Sequence, residues 1–218
     1  MFRLLVFDWD GTLMDSEARI VASATAAIAD LSRPLLPPQR ISNIIGLGLR
    51  EAVEDLFPGE SDAFYGRFVE RYRHHFLVAD KTPMPLFRGA EQTLVRLCQE
   101  GYLLAVATGK SRRGLQRALH ETGLGELFVA TRCADESLSK PHPQMLLELM
   151  DEVGVEPAQT LMVGDSEYDL EMARNARVSG MAVAYGVHGC DRLLQFAPLG
   201  CLDDIADLAP WLEARRSR

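Results

Sequence analysis

The sequence has almost no lysine: Lys81, Lys110 and Lys140 stand against twenty arginines. It also has no basic block. Its 31 acidic residues exceed its 23 basic ones, for a net charge of −8. Without clustered cations to neutralise a phosphate backbone, nucleic acid is excluded as a main partner. The one locally basic stretch, Arg215-Arg216-Ser217-Arg218, reads as a solvated terminus. The four cysteines (Cys98, Cys133, Cys190 and Cys201) form no Cys-x-x-Cys pair and no zinc spacing, so reduced, mostly buried thiols are expected. No apolar stretch is long enough to span a bilayer. The N-terminal apolar residues give way to Asp-Trp-Asp-Gly within ten positions, which is not the pattern of a secretory signal. The expectation is a cytoplasmic protein with no membrane partner. Internal repeats and low-complexity segments are missing too.

What is present is ordinary globular material. With 218 residues, 47% hydrophobic and 25% charged, the chain can bury a sizeable core, either as one large domain or as a core with a smaller partner. Short apolar runs occur at Leu4–Phe7, Tyr102–Ala107, Leu127–Ala130, Leu161–Val163 and Met181–Ala184, with a sixth near Leu199–Leu202. Runs that are apolar at nearly every position suit strands covered on both faces. Amphipathic stretches of helical length separate them. The pattern predicts an α/β fold with a doubly wound, mostly parallel sheet.

One region breaks the rhythm. Residues 15–87 contain no convincing strand and read as helices at Ser16–Leu31, Pro38–Ile45, Leu49–Phe57 and Ser61–Val78, closed by Pro83 and Pro85. Asp15 or Ser16 can cap the first of them. This predicts an inserted α-helical cap domain over 15–87, on an α/β core made of residues 1–14 and 88–218. The chain would cross between the two near Leu13–Ser16 and Met84–Arg88.

Chemistry gathers where such a sheet binds ligands, at the carboxyl ends of its strands. Asp8-Trp9-Asp10-Gly11-Thr12 follows the first strand and Thr108-Gly109-Lys110-Ser111 the second. Ser139-Lys140-Pro141-His142-Pro143 comes after the third, and Gly164-Asp165-Ser166-Glu167-Tyr168-Asp169 after the fourth. Each segment alone passes for a turn, a capped helix start or a rigid loop. Together they bring four carboxylates, a lysine and a hydroxyl to one sheet edge. Two aspartates so close repel one another, and burial makes each ionised carboxylate costlier, so a positive partner is required.

The ordered quartet FDWDGT, ATGKS, SKPHP and VGDSEYD resembles the four motifs of the haloacid dehalogenase (HAD) superfamily. The GTLMDS continuation and RGAEQTLVRLCQEGY resemble its phosphoglycolate-phosphatase-like branch, with 15–87 in the place of the family's helical cap. The resemblance implies a hydrolase of small-molecule phosphate monoesters that works through an aspartyl-phosphate. Asp8 would be the nucleophile and Asp10 the acid that protonates the leaving alcohol, then the base that activates water. Lys140 would stand between nucleophile and phosphate. Trp9 and Asp10 through the backbone, and Thr108 with the Gly109 amide at a helix start, would hold the phosphate.

The implied cofactor is Mg²⁺, bound by the carboxylates of Asp8 and Asp165 and by the Asp10 carbonyl. Asp169 would support it from a second layer, with Glu167 a weaker candidate and His142 a loop residue. The segment Ile44–Arg50 resembles the family's substrate-specificity loop, which would give Gly46 and Arg50 a part in selection. Gly109 departs from relatives that often carry Asn or Ser there. Arg112 and Arg113 could add positive potential at the mouth. Two other readings stay open: a sugar phosphomutase of the β-phosphoglucomutase type, against which Thr12 leans, and a non-catalytic binding or regulatory module. A monomer or a homodimer is expected.

Overall fold

The computed structural model describes residues 1–216. Six strands form a single sheet: β1 (Leu4–Phe7), β2 (Leu103–Thr108), β3 (Phe128–Cys133), β4 (Thr160–Gly164), β5 (Ser179–Val183) and β6 (Cys201–Leu202). Their order is β3-β2-β1-β4-β5-β6, and every pairing is parallel. The chain winds outwards from β1 through β2 and β3, then returns to lay β4 on the other side of β1. That reversal opens a crevice at the carboxyl end of β1.

The run Leu4-Leu5-Val6-Phe7 is wholly buried because successive side chains point to opposite faces and both faces are covered. Leu5 and Phe7 pack with Leu94, Leu97 and Leu115 on one face. Leu4 and Val6 pack with Met145, Leu149 and Met172 on the other.

Between β1 and β2 lie α1 (Glu17–Asp30), α2 (Pro38–Ser42), α3 (Leu49–Leu56) and α4 (Asp62–His74), the last running into a π-helical turn at His75–Ala79. These helices bury a cluster of their own, in which Ala27, Ile28, Ile41, Phe64 and Phe68 are almost fully enclosed. Burial of each large side chain there contributes about 1.5–3 kcal/mol. The two chain crossings pair with each other, Asp15 N–H to the Pro85 carbonyl and Phe87 N–H to the Leu13 carbonyl, both at 2.9 Å.

The remaining helices are α5 (Ala90–Gln99), α6 (Arg112–Thr122), α7 (Gln144–Val153), α8 (Glu167–Asn175), α9 (Cys190–Leu193) and α10 (Leu208–Arg216). No helix among the described residues is long and apolar enough to cross a membrane.

Some sequence expectations need correction. The second helix stops at Ser42 rather than Ile45, ahead of the positive φ of 109° at Gly46. Cys190 and Cys201, expected as separate thiols, are brought side by side, with Cα atoms 6.4 Å apart. The parallel β5–β6 pairing carries Cys201 to the side of α9, a proximity that spacing along the chain does not reveal. Cys98 and Cys133 are free. In the basic tail, Arg215 lies over the Trp211 ring and Arg216 over Tyr102; Ser217 and Arg218 fall outside the described residues.

Candidate active site

At the crevice the chain leaves β1 and turns sharply at Gly11, whose φ is +84°. Glycine is needed there twice over: an L side chain rarely adopts that φ, and a Cβ would lie 2.1 Å from Asp165 Oδ2. The bare turn lets Asp165, at the end of β4, reach Asp8. Asp8, Asp165 and Asp169 then form a buried triplet with carboxylate oxygens within 4.8 Å of one another.

Lys140 enters the triplet fully buried, its Nζ 2.7 Å from Asp8 Oδ1 and 2.6 Å from Asp169 Oδ1. Asp165 is anchored by the Thr12 hydroxyl and the Val187 amide, both at 2.8 Å. Asp169 also closes a capping box with Ser166 at the start of α8. Asp8 differs from both: Lys140 is the one partner of its Oδ1, and its Oδ2, also buried, has no hydrogen-bond partner among the described residues.

The electrostatics follow from three carboxylates sharing one ammonium. Burial pushes the Asp8 carboxyl well above the usual carboxylate range, and Asp169 and Asp165 add to this against the pull of Lys140. Burial and the charge of Asp169 push Asp165 up to about 7, against the Val187 and Thr12 hydrogen bonds. For Lys140, burial opposes the charged form, but Asp169 and Asp8 outweigh it and the pKa rises. Such a cluster suits a hard divalent cation with oxygen ligands. The unpartnered Oδ2 of Asp8 is the particular sign of it.

A second group lies beside the first. Asp10 accepts a hydrogen bond from Ser16 Oγ at 2.5 Å and from Lys110 Nζ at 2.8 Å. Ser16 precedes α1 but makes no side-chain cap bond, because its hydroxyl is turned to Asp10. The Lys110 ammonium also sits 5.5 Å from the centroid of Phe76, on the π-helical turn. Thr108 is buried, its Oγ1 accepting the Lys110 amide at 3.2 Å. Ser111 caps α6.

The helical insert is seated directly on this floor. A Cβ at Gly109 would lie 2.4 Å from the Leu47 carbonyl oxygen and 2.7 Å from that of Gly46. The missing side chain at 109 is what lets the loop come so close. The Gly48 amide donates to Ser139 Oγ at 2.7 Å. Tyr168 Oη donates to the Asn43 carbonyl at 2.9 Å, and Arg192 reaches the Asn43 side chain. His188 approaches the same carbonyl through Nε2 at 3.2 Å, while its Nδ1 accepts the Glu167 amide. Between insert and core remains a cavity of about 590 Å³, with Asp8, Asp10, Thr108 and Gly109 in its wall.

The structure thus brings Asp8, Lys140, Asp165 and Asp169 into one cluster and sets Asp10, Thr108 and Gly109 beside it. The Trp9 ring turns into the core, edge-on to Phe128 with centroids 6.3 Å apart. Gly46 lies over Ser166 and Tyr168. Arg50 reaches the cavity wall, but its guanidinium is held by Asp62 at 3.0 Å and stacks on Tyr65. Glu167 pairs with Arg192 and is not part of the acidic triplet. His142 is an exposed loop residue. Arg112 is held by Glu136 and Thr131.

The reading by motif gave Ser16 only a possible place as a helix cap and assigned no site role to Lys110 or Asn43. The scarcity of lysine was a signal for Lys110. Nothing local marks the other two.

Both the sheet and the site define one class of protein. A family model described as haloacid dehalogenase-like hydrolase matches residues 5–183, and the chain belongs to that family. It is 34% identical to "Probable phosphatase IndB" of Dickeya dadantii (strain 3937), over 94% of this chain and 91% of that one. It is 31% identical to a phosphoglycolate phosphatase of Agrobacterium fabrum (strain C58), over 96% and 91%. Among solved structures, a hydrolase from Pseudomonas syringae superposes with a TM-score of 0.89 at 24% identity, covering 98% of this chain and 99% of that one.

Proposed function

We propose that this hydrolase removes phosphate from a small-molecule phosphate monoester, with Asp8 as nucleophile and Mg²⁺ as cofactor. The chain is a phosphatase of the phosphoglycolate-phosphatase-like kind within its family. The observation that carries the mechanism is Asp8 itself: buried, charge-compensated by Lys140 at 2.7 Å from Oδ1, yet with Oδ2 free of hydrogen bonds. A carboxylate so placed is held in position without being blocked.

Asp8 attacks phosphorus, and the phosphorus–oxygen bond to the leaving alcohol breaks as Asp10 gives that oxygen its proton. Asp10 then takes a proton from water, which attacks the aspartyl-phosphate, releases inorganic phosphate and restores Asp8. Lys140 offsets the repulsion between Asp8 and the incoming phosphate. The Trp9 and Asp10 backbone, Thr108 and the Gly109 amide hold the phosphate oxygens. Asp8, Asp165 and the Asp10 carbonyl, with Asp169 behind them, would hold Mg²⁺, which would supply positive charge at the phosphoryl group. Residues 15–87 act as a cap that keeps bulk water out. A cytoplasmic location belongs to the same proposal.

The test is phosphate release from a panel of phosphorylated metabolites with and without Mg²⁺, for the wild type and Asp8→Asn. Metal-dependent turnover that falls roughly a thousandfold or more in the variant supports the reading. Turnover unaffected by the substitution refutes the nucleophile. An isomerised sugar phosphate in place of free phosphate marks a phosphomutase.

A further inference from the structure

Beyond the reacting end, the cavity follows the seam between the helical insert and the core. Its walls near Asp10 are apolar, with Ile20, Phe68, Tyr72, Phe76 and Leu77 among them. A space of about 590 Å³ is far more than a two-carbon leaving group occupies.

The cations along this wall are not equivalent. Lys110 is taken by Asp10. Arg50 is taken by Asp62 and Glu54, and Arg117 by Glu121. Arg73, on α4, and Arg113, in the first turn of α6, line the same cavity and have neither an ion pair nor a hydrogen bond among the described residues. The carboxylates on that wall leave them free: Asp135 accepts the Arg112 amide at 2.8 Å, and Glu51 lies towards Gly48. Both are solvent-exposed residues that line the cavity, and with no carboxylate of the described residues on either, both guanidiniums are available to a ligand there.

We propose that the substrate's leaving group carries a second anionic group at the far end of an apolar body. Arg73 from the insert and Arg113 from the core take that group between them. This rests on the phosphatase reading above. Guanidinium forks pair well with carboxylate and with phosphate, so the recognised chemistry is a second anion of either kind. A guanidinium that only raised the local potential would treat all phosphate esters alike. One that binds a second group ranks them.

The test compares three esters with Mg²⁺: benzyl phosphate, 4-carboxybenzyl phosphate and 4-(phosphonomethyl)benzyl phosphate. They share a leaving oxygen and an apolar body and differ in the second charge. The wild type is expected to favour at least one charged ester by about 10-fold in kcat/KM, mainly through KM. Arg73→Ala and Arg113→Ala each lower kcat/KM for that ester about 10-fold more than for benzyl phosphate, and Lys at either position restores part of the difference.

Equal kcat/KM for all three esters in the wild type overturns the proposal while leaving the phosphatase reading intact. A preference that survives in both variants overturns it as well. No hydrolysis of any ester, p-nitrophenyl phosphate included, overturns the phosphatase reading and this proposal with it.

Discussion

Lys110 holds Asp10 from both carboxylate oxygens, its Nζ 2.8 Å from each, while the ring of Phe76 covers the ammonium from the helical insert. Asp10, its cationic partner and the insert are therefore in contact. Lys110→Ala leaves the Ser16 hydroxyl as the remaining partner of Asp10. The expected result is a fall in kcat of about 10-fold or more with a smaller change in KM, since the defect lies in orientation rather than binding. Steady-state kinetics on one ester checks this. An unchanged kcat would remove Lys110 from the machinery.

Gly109 sets how closely the insert can sit. Its virtual Cβ meets backbone carbonyl oxygens, which cannot rotate away as a side-chain tip can. Gly109→Asn is therefore expected to cost the closed arrangement about 1–3 kcal/mol, as overpacking does. Faster hydrogen exchange in residues 44–49 and a raised KM are the readouts. Gly109→Ala should show the same change to a lesser degree.

Tyr168 and Asn43 offer a milder version of that experiment. Tyr168→Phe removes the hydroxyl that donates to the Asn43 carbonyl and leaves the ring in place. A net hydrogen bond of this kind is worth about 0.5–1.5 kcal/mol. Exchange protection at residues 42–46 should drop a few-fold, with the core strands unaffected.

The acidic cluster makes a prediction about pH and metal. The Asp165 carboxyl is raised to about 7 by burial and by Asp169, and Asp8 is raised in the same direction. Between the unfolded carboxylate range and pH 7, the folded state therefore binds more protons than the unfolded one, so stability falls as pH rises. Metal-free protein should melt at a lower temperature at pH 8 than at pH 5.5, reflecting a loss of stability on the order of a few kcal/mol at most. Added Mg²⁺ should reverse the difference at pH 8, because a cation replaces the lost protons. Thermal melts with chelator and with Mg²⁺ at both pH values test it. A higher melting temperature at pH 8 without metal would contradict it.

Much of this molecule is decided locally. The run Leu4–Phe7 is apolar at every position, so it must be covered on both faces, and β1 spans those four residues. The motifs that follow successive strands lie on one edge because parallel strands present their carboxyl ends together. Asp8, Lys140, Asp165 and Asp169 could thus be singled out as one group before any coordinates. The bounds of α1 and β4 were legible to within a residue or two for the same reason: their periodicities are properties of neighbouring residues.

The remainder depends on closure of the chain over long separations. Ser16 gives up its place as a helix cap because folding brings Asp10 within reach of its hydroxyl. Lys110 meets Asp10 across 100 positions, and Gly109 owes its identity to the carbonyls of Gly46 and Leu47. The sequence pointed to Arg50 as an anion reader and not to Arg73, but packing gives Arg50 to Asp62 and leaves Arg73 without a carboxylate partner among the described residues. Composition and spacing determined which chemistry the strand ends could hold. Only the tertiary structure decided which charges neutralise one another and which remain for a ligand, because pairing depends on distances that no local pattern encodes.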